Sequence, residues 1–140
     1  MPTFISSYTH MNGRFGVLVE IQASDPLSFL TKEFQSLAHE IALHIVAACP
    51  KVVSPSQLQS QDWFEFLIDH DPELIKLSLH ERNVRQAELR KEYEEQNVLI
   101  RQLFVKDKTH TVNEVMQSMS EVLKENLRVI RFVRWEASDT

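Results

Sequence analysis

Glycine is almost missing from this chain: its 140 residues include two, Gly13 and Gly16. A phosphate-cradling P-loop and a dinucleotide-binding fingerprint each need several glycines at fixed spacing, so both are excluded. Cysteine occurs once, as Cys49, which rules out an internal disulfide and fits a reducing, cytoplasmic compartment. Near the end of a helix it reads as a small apolar side chain. No apolar run approaches the roughly 20 residues of a membrane-spanning helix. The opening segment, residues 1–7, lacks the basic region and cleavage site of a secretory signal. Positive charge is also short, with 15 Lys and Arg against 20 Asp and Glu for a net charge of −5. That balance argues against direct binding of a nucleic-acid backbone, although Arg128, Arg131 and Arg134 lie close together. What remains is ordinary: 43% hydrophobic and 25% charged residues, enough for one domain over residues 1–140 with a single core.

The most informative stretch is Ser7–Ile21. Asn12-Gly13 readily supplies positive φ at both central positions of a tight hairpin turn. Beyond it Phe15, Val17, Val19 and Ile21 fall on one strand face at period two, with Arg14, Gly16, Leu18 and Glu20 on the other. Asp25-Pro26 pairs an N-cap with a proline at the first helical position, and Thr31 offers a second start. Phe34, Leu37, Ala38, Ile41, Ala42, Ile45, Val46 and Cys49 then keep helical spacing until Pro50. Ser54-Pro55-Ser56-Gln57 predicts a capping box opening a short helix through Trp63, Phe64, Phe66 and Leu67, and Asp71-Pro72 repeats the start signal. Residues 73–102 predict one long or twice-broken helix, largely solvated. Thr111-Val112-Asn113-Glu114 is a capping box for a helix with Val112, Val115, Met116, Met119, Val122 and Leu123 on one face and Asn126 as its C-cap.

Leu127–Glu136 reads as a strand with two apolar faces, Val129, Val133 and Trp135 on one and Ile130 and Phe132 on the other. Such a strand needs cover on both sides. Helices supply one cover, and a second copy of the chain the other, making Val129, Val133 and Trp135 the expected dimer face. The alternative is that helices of the same chain cover both. The fold expected is α+β: a three-stranded antiparallel sheet, made of the N-terminal hairpin and the C-terminal strand, with helices between them.

No constellation for catalysis emerges. His39 and His44 are five apart, about 140° around a helix, so they cannot share a face as zincin ligands do. They are expected to be surface or boundary histidines. His70-Asp71 reads as a helix cap, and Arg90–Glu95 as a solvated face with i, i+4 pairs. No metal, cofactor or enzymatic chemistry is expected, and function should be exerted by binding.

The pattern Tyr8-Thr9-His10, then Gly13-Arg14-Phe15-Gly16-Val17-Leu18-Val19-Glu20, resembles the core domain of translation elongation factor Ts. Further matches follow in order. They are Glu33-Phe34 through Ile45, Pro50 with Val53-Ser54, Val98-Leu99-Ile100-Arg101-Gln102-Leu103-Phe104-Val105-Lys106-Asp107, Glu125-Asn126, and Arg131-Phe132-Val133-Arg134-Trp135-Glu136. The resemblance spans Tyr8 to Glu136 and implies a protein that binds elongation factor Tu or a related GTPase and promotes nucleotide exchange. Some short family members pair sheet against sheet through this core, which implies a homodimer.

Two departures qualify the implied activity. The resemblance starts at the family's core, without the small helical domain that precedes it there. Where the family has Thr-Asp-Phe, whose Asp-Phe pair disturbs bound GDP, this sequence has Asp25-Pro26-Leu27. A one-residue slip restores Asp25, and Phe29 lies just beyond, at a different spacing. Asp25, Pro26, Leu27 and Phe29 are therefore the expected partner-binding positions. Leu27 lacks the flat aromatic area of a wedge, and a loss of ~3 kcal/mol of nucleotide destabilisation would slow exchange about a hundredfold. The expectation is weakened or partner-dependent exchange. The alternative is a homodimeric scaffold of the same fold with another partner and no exchange.

Overall fold

The computed structural model describes residues 1–138. Strands β1 (Thr3–His10) and β2 (Phe15–Gln22) pair antiparallel from Thr3↔Gln22 to His10↔Phe15. Their connection is longer than a two-residue turn. Met11, Asn12 and Gly13 all take positive φ, at 52°, 54° and 87°, and the Arg14 amide donates to the His10 carbonyl at 3.0 Å. The Asn-Gly signal marks the turn correctly, while Met11 joins it in the left-handed region that side chains usually avoid.

Helix α1 (Lys32–Ala48) lies on the sheet and builds the core. Its Phe34, Leu37, Ala38, Ile41, Ala42 and Ile45 cluster with Val17, Val19 and Ile21 of β2. Asp25 and Thr31 cap as their sequence contexts predict. The Asp25 carboxylate accepts the Leu27 amide at 2.9 Å at the start of a 3₁₀ turn, Pro26–Leu30, and Thr31 Oγ1 accepts the Phe34 amide at 3.1 Å. The far end of α1 closes on Cys49 in the left-handed conformation (φ 51°). Cys49 is exposed there rather than packed as a small apolar side chain. With no basic residue in its last turn, α1 receives one from elsewhere: Arg134 donates Nε and Nη2 to the Val46 carbonyl at 3.3 and 3.0 Å. A cation there also complements the negative end of the helix dipole.

Two helices, α2 (Ser60–His70) and α3 (Leu79–Asn97), form a second packing unit. The predicted Ser54 cap is absent. Pro55–Gln57 makes an isolated 3₁₀ turn, Gln57 Oε1 accepts the Val53 amide at 2.9 Å, and α2 begins at Ser60. The long solvated stretch is indeed twice broken, by 3₁₀ turns at Leu74–Lys76 and Leu99–Arg101. Ser78, not Asp71, caps α3, because Asp71 ends α2 and pairs with Arg85 Nε at 3.1 Å.

Strands β3 (Leu103–Phe104) and β4 (Asp107–Thr111) make a small separate sheet with no sequence-level forecast. Helix α4 (Val112–Leu123) starts with the complete capping box, Glu114 N–H to Thr111 Oγ1 at 3.2 Å and Thr111 N–H to Glu114 Oε1 at 2.9 Å. Its left-handed end is Lys124 (φ 54°), not Asn126, and Val122, expected on the apolar face, is exposed.

Strand β5 (Arg128–Glu136) pairs antiparallel with β2, giving the three-stranded order β1-β2-β5 expected of the α+β fold. The pairing shifts partway along: Glu20 faces Arg131 and Ile21 faces Val129, leaving Ile130 as an extra residue. Such a bulge reverses side-chain parity. Val129 therefore turns inward and is 5% exposed in the core, and does not share a face with Val133 and Trp135 as strict alternation predicts.

Candidate partner-binding surfaces

Two exposed apolar surfaces hold residues that the sequence marks as expected contact positions. The first is the 3₁₀ turn between β2 and α1. In a helix of three residues per turn, side chains three apart eclipse one another. Leu27 and Leu30 stand in that relation, and both project into solvent at 67% and 79% exposure. Of the four positions singled out from sequence, the structure separates two roles. Pro26 and Leu27 lie on the exposed edge, whereas Phe29 is 7% exposed and belongs to the core. Its ring packs on Phe4 and Phe34 at centroid distances of 5.6 and 5.0 Å. Phe29 thus anchors the turn to the core. Asp25 is exposed, but its carboxylate is occupied in capping the Leu27 amide.

Leu30 joins Leu27 on this edge, and its three-residue spacing from Leu27 is the sequence signal for it. No local sequence signal singles out Glu125. Its carboxylate reaches this turn from beyond α4, accepting from the Ser24 amide at 2.8 Å, the Asp25 amide at 3.3 Å and Ser28 Oγ at 2.9 Å.

The second surface is the face of the sheet opposite α1. Cross-strand neighbours run Ser7–Leu18–Val133, Thr9–Gly16–Trp135 and Ile5–Glu20–Arg131. Trp135 is 73% and Val133 37% exposed, with Ile5 and Leu18 also open to solvent. One edge is polar, where Glu20 accepts from Thr3 Oγ1 and Arg131 Nε, both at 2.8 Å. The Thr3 hydroxyl and the Arg131 guanidinium hold the Glu20 carboxyl below its ordinary pKa. Of the predicted dimer-face residues, Val133 and Trp135 lie here and Val129 does not.

The histidines of α1 also part company. His39 is exposed, with its ring edge-on to Tyr8 at 5.0 Å. His44 is fully buried, contrary to its expected surface or boundary position. Gln102 Nε2 donates to the Ala48 and Gln96 carbonyls at 3.3 and 2.7 Å, which leaves Oε1 to accept from His44 Nε2–H at 2.9 Å. His44 Nδ1 then accepts the Val105 amide at 3.1 Å, so the neutral ring is fully satisfied. Burial pushes its pKa down. Among the described residues no three His, Cys, Asp or Glu side chains gather as a metal site, and no helix is long and apolar enough to cross a membrane.

An α+β domain with the strand order β1-β2-β5 and helices packed on one sheet face sets the class of protein. A family model described as Elongation factor TS matches residues 2–139. Elongation factor Ts of Solibacter usitatus (strain Ellin6076) is 34% identical over 143 residues, covering 96% of this chain and 65% of that relative. The Rubrobacter xylanophilus protein of the same name is 34% identical over 135 residues, covering 94% of this chain and 69% of its own length. That of Koribacter versatilis (strain Ellin345) is 31% identical over 140 residues, covering 96% and 63%. The chain belongs to the elongation factor Ts family. It spans about two thirds of the length of these relatives, between 63% and 69%.

Proposed function

We propose that this chain acts in translation elongation by binding elongation factor Tu or a related GTPase through the turn at residues 24–31. Exchange would be weakened, or would depend on a partner that supplies a further helical domain. The observation that carries this reading is the exposed Leu27–Leu30 pair on a turn whose backbone is fixed from both sides. Two leucines can fill an apolar pocket on a partner, but they neither wedge as an aromatic ring does nor bring a negative charge to the nucleotide. The nearest carboxylate, that of Asp25, is engaged in its own turn. Binding with little leverage on GDP follows. The test is release of fluorescent GDP from elongation factor Tu: acceleration at micromolar chain concentrations supports the reading, and absence of both binding and release sinks it. Replacing both leucines (Leu27→Ser with Leu30→Ser) should weaken association about tenfold.

The same reading includes a homodimer formed through the outer sheet face. Exposed Ile5, Leu18, Val133 and Trp135 on one face of the antiparallel sheet support it. Sedimentation should find a dimer that Val133→Asp converts to monomer, since burying an unpaired carboxylate is costly. A second reading, a homodimeric scaffold without exchange activity, is favoured by the Pro26-Leu27 replacement and the committed Asp25 carboxylate. A dimer that leaves GDP release unchanged would support it.

A further inference from the structure

The turn that carries Leu27 and Leu30 is shaped by a residue 101 positions away from its first amide. The segment enters from β2 with the Ala23 amide donating to the Pro2 carbonyl at 3.1 Å. It leaves with Gln35 Nε2 donating to the Phe29 carbonyl at 2.6 Å and the Thr31 hydroxyl to the Ser28 carbonyl at 2.8 Å. Between these points the Ser24 and Asp25 amides have one carboxylate oxygen as acceptor, Glu125 Oε2, and the Ser28 hydroxyl donates to Oε1. Charge-assisted bonds of this kind are about twice as strong as neutral ones. The chain then hands its orientation forward: the Asp25 side chain fixes the Leu27 amide, and Leu30 eclipses Leu27 one turn on.

Glu125 is itself firmly held. It follows the left-handed Lys124, its amide donates to the Ser120 carbonyl at 2.9 Å, and the Leu127 amide donates to Ser120 Oγ at 3.2 Å. Partial desolvation pushes its pKa up, but the Ser28 hydroxyl and the Ser24 and Asp25 amides outweigh this and leave it below the ordinary carboxylate value. The carboxylate is therefore ionised, and an acceptor only, at neutral pH.

We propose that Glu125 is a positioning residue: it clamps the turn at residues 24–28 so that Leu27 and Leu30 are presented, already ordered, to the GTPase. The proposal rests on the reading above that this turn meets the GTPase. Without the clamp the leucines remain, but the cost of ordering them falls on the binding step.

The full chain is compared with Glu125→Ala, Glu125→Gln and Ser28→Ala by amide hydrogen exchange and by titration against elongation factor Tu carrying fluorescent GDP. In Glu125→Ala the Ser24 and Asp25 amides lose protection, those of β2 keep theirs, and association weakens about tenfold. Glu125→Gln restores both properties in part, because its Oε1 still accepts the two amides and the Ser28 hydroxyl turns to accept from Nε2, though without the charge. Ser28→Ala, which removes one bond without disturbing α4, weakens association about threefold and serves if Glu125→Ala does not fold. Unchanged association in Glu125→Ala, or a loss in Glu125→Gln as large as in Glu125→Ala, overturns the proposal. If the unmodified chain does not associate at all, the GTPase reading has failed separately. The clamp is then judged by amide exchange alone: protection that disappears in Glu125→Ala upholds it, and unchanged protection refutes it.

Discussion

The sheet with α1 and the α2–α3 pair are built from the same alphabet, yet they bury it differently. In the first region Val19, Ile21, Phe34, Ile41, Ala42 and Ile45 are completely hidden, and both sheet and helix contribute. In the second, Phe66, Leu67, Leu74, Leu89 and Tyr93 form a small cluster, while Phe64, Ile68, Ile75 and Leu79 stay exposed. The joint between them combines backbone hydrogen bonds, the buried side chains of Val98 and Leu99, and one polar network. The Lys51 amide donates to the Asn97 carbonyl at 2.8 Å, the Leu99 amide to Val52 at 2.9 Å, and the Ile100 amide to Val53 at 3.2 Å, with His44–Gln102 beneath. Regions with few buried apolar contacts open at lower free energy than those with many. The helical pair should therefore loosen while the sheet stays intact.

The strongest way to break that comparison is from the sheet side. Phe34→Ala should cost about 3–5 kcal/mol and carry the helical pair down with it, as urea unfolding followed by two probes would report. The reciprocal change, Leu89→Ala, should cost about 2–4 kcal/mol locally and strip amide protection from α2 and α3 but not from β2. Equal loss in β2 would mean one cooperative unit and end the distinction.

The joint gives a pH test. Because burial lowers the His44 pKa below its ordinary 6.5, the unfolded chain binds more protons between the two values. The contribution of His44 to stability is complete above pH 6.5 and is lost as pH falls toward the lowered value, with a slope of at most about 1.4 kcal/mol per pH unit. Denaturation midpoints from pH 8 to about pH 5 should show this slope, and His44→Gln should flatten it. The smallest effect expected is at Tyr93, whose buried hydroxyl has no hydrogen-bonding partner among the described residues. Tyr93→Phe should leave stability unchanged or raise it by about 1 kcal/mol, sharpening the picture of a small and imperfect second core.

What the sequence discloses divides along lines of distance. The hairpin, α1 and the Thr111 capping box announce themselves through period, proline and caps lying within a few residues of one another. Elements β3 and β4 do not: Leu103–Phe104 is too short for a period, and Asp107–Thr111 is polar throughout. At the candidate site, Pro26 and Leu27 are legible as exposed positions, but Phe29 is not legible as buried, since Phe4 and Phe34 come to it from separate elements. His44 is hidden for the same reason, its partner Gln102 lying 58 positions on. Glu125 belongs to a motif match, but nothing local ties it to Ser24. Val129 fails differently: a period-two reading has no way to register the surplus residue at Ile130.

That surplus residue gives β5 a divided loyalty. Ahead of it, Val129 serves the interior and tolerates little change; after it, Arg131, Val133 and Trp135 look outward. Substitution at Val133 and Trp135 can thus remodel the outer face without touching Phe132 and Arg134, which alternate with them and hold the strand to the core and to α1.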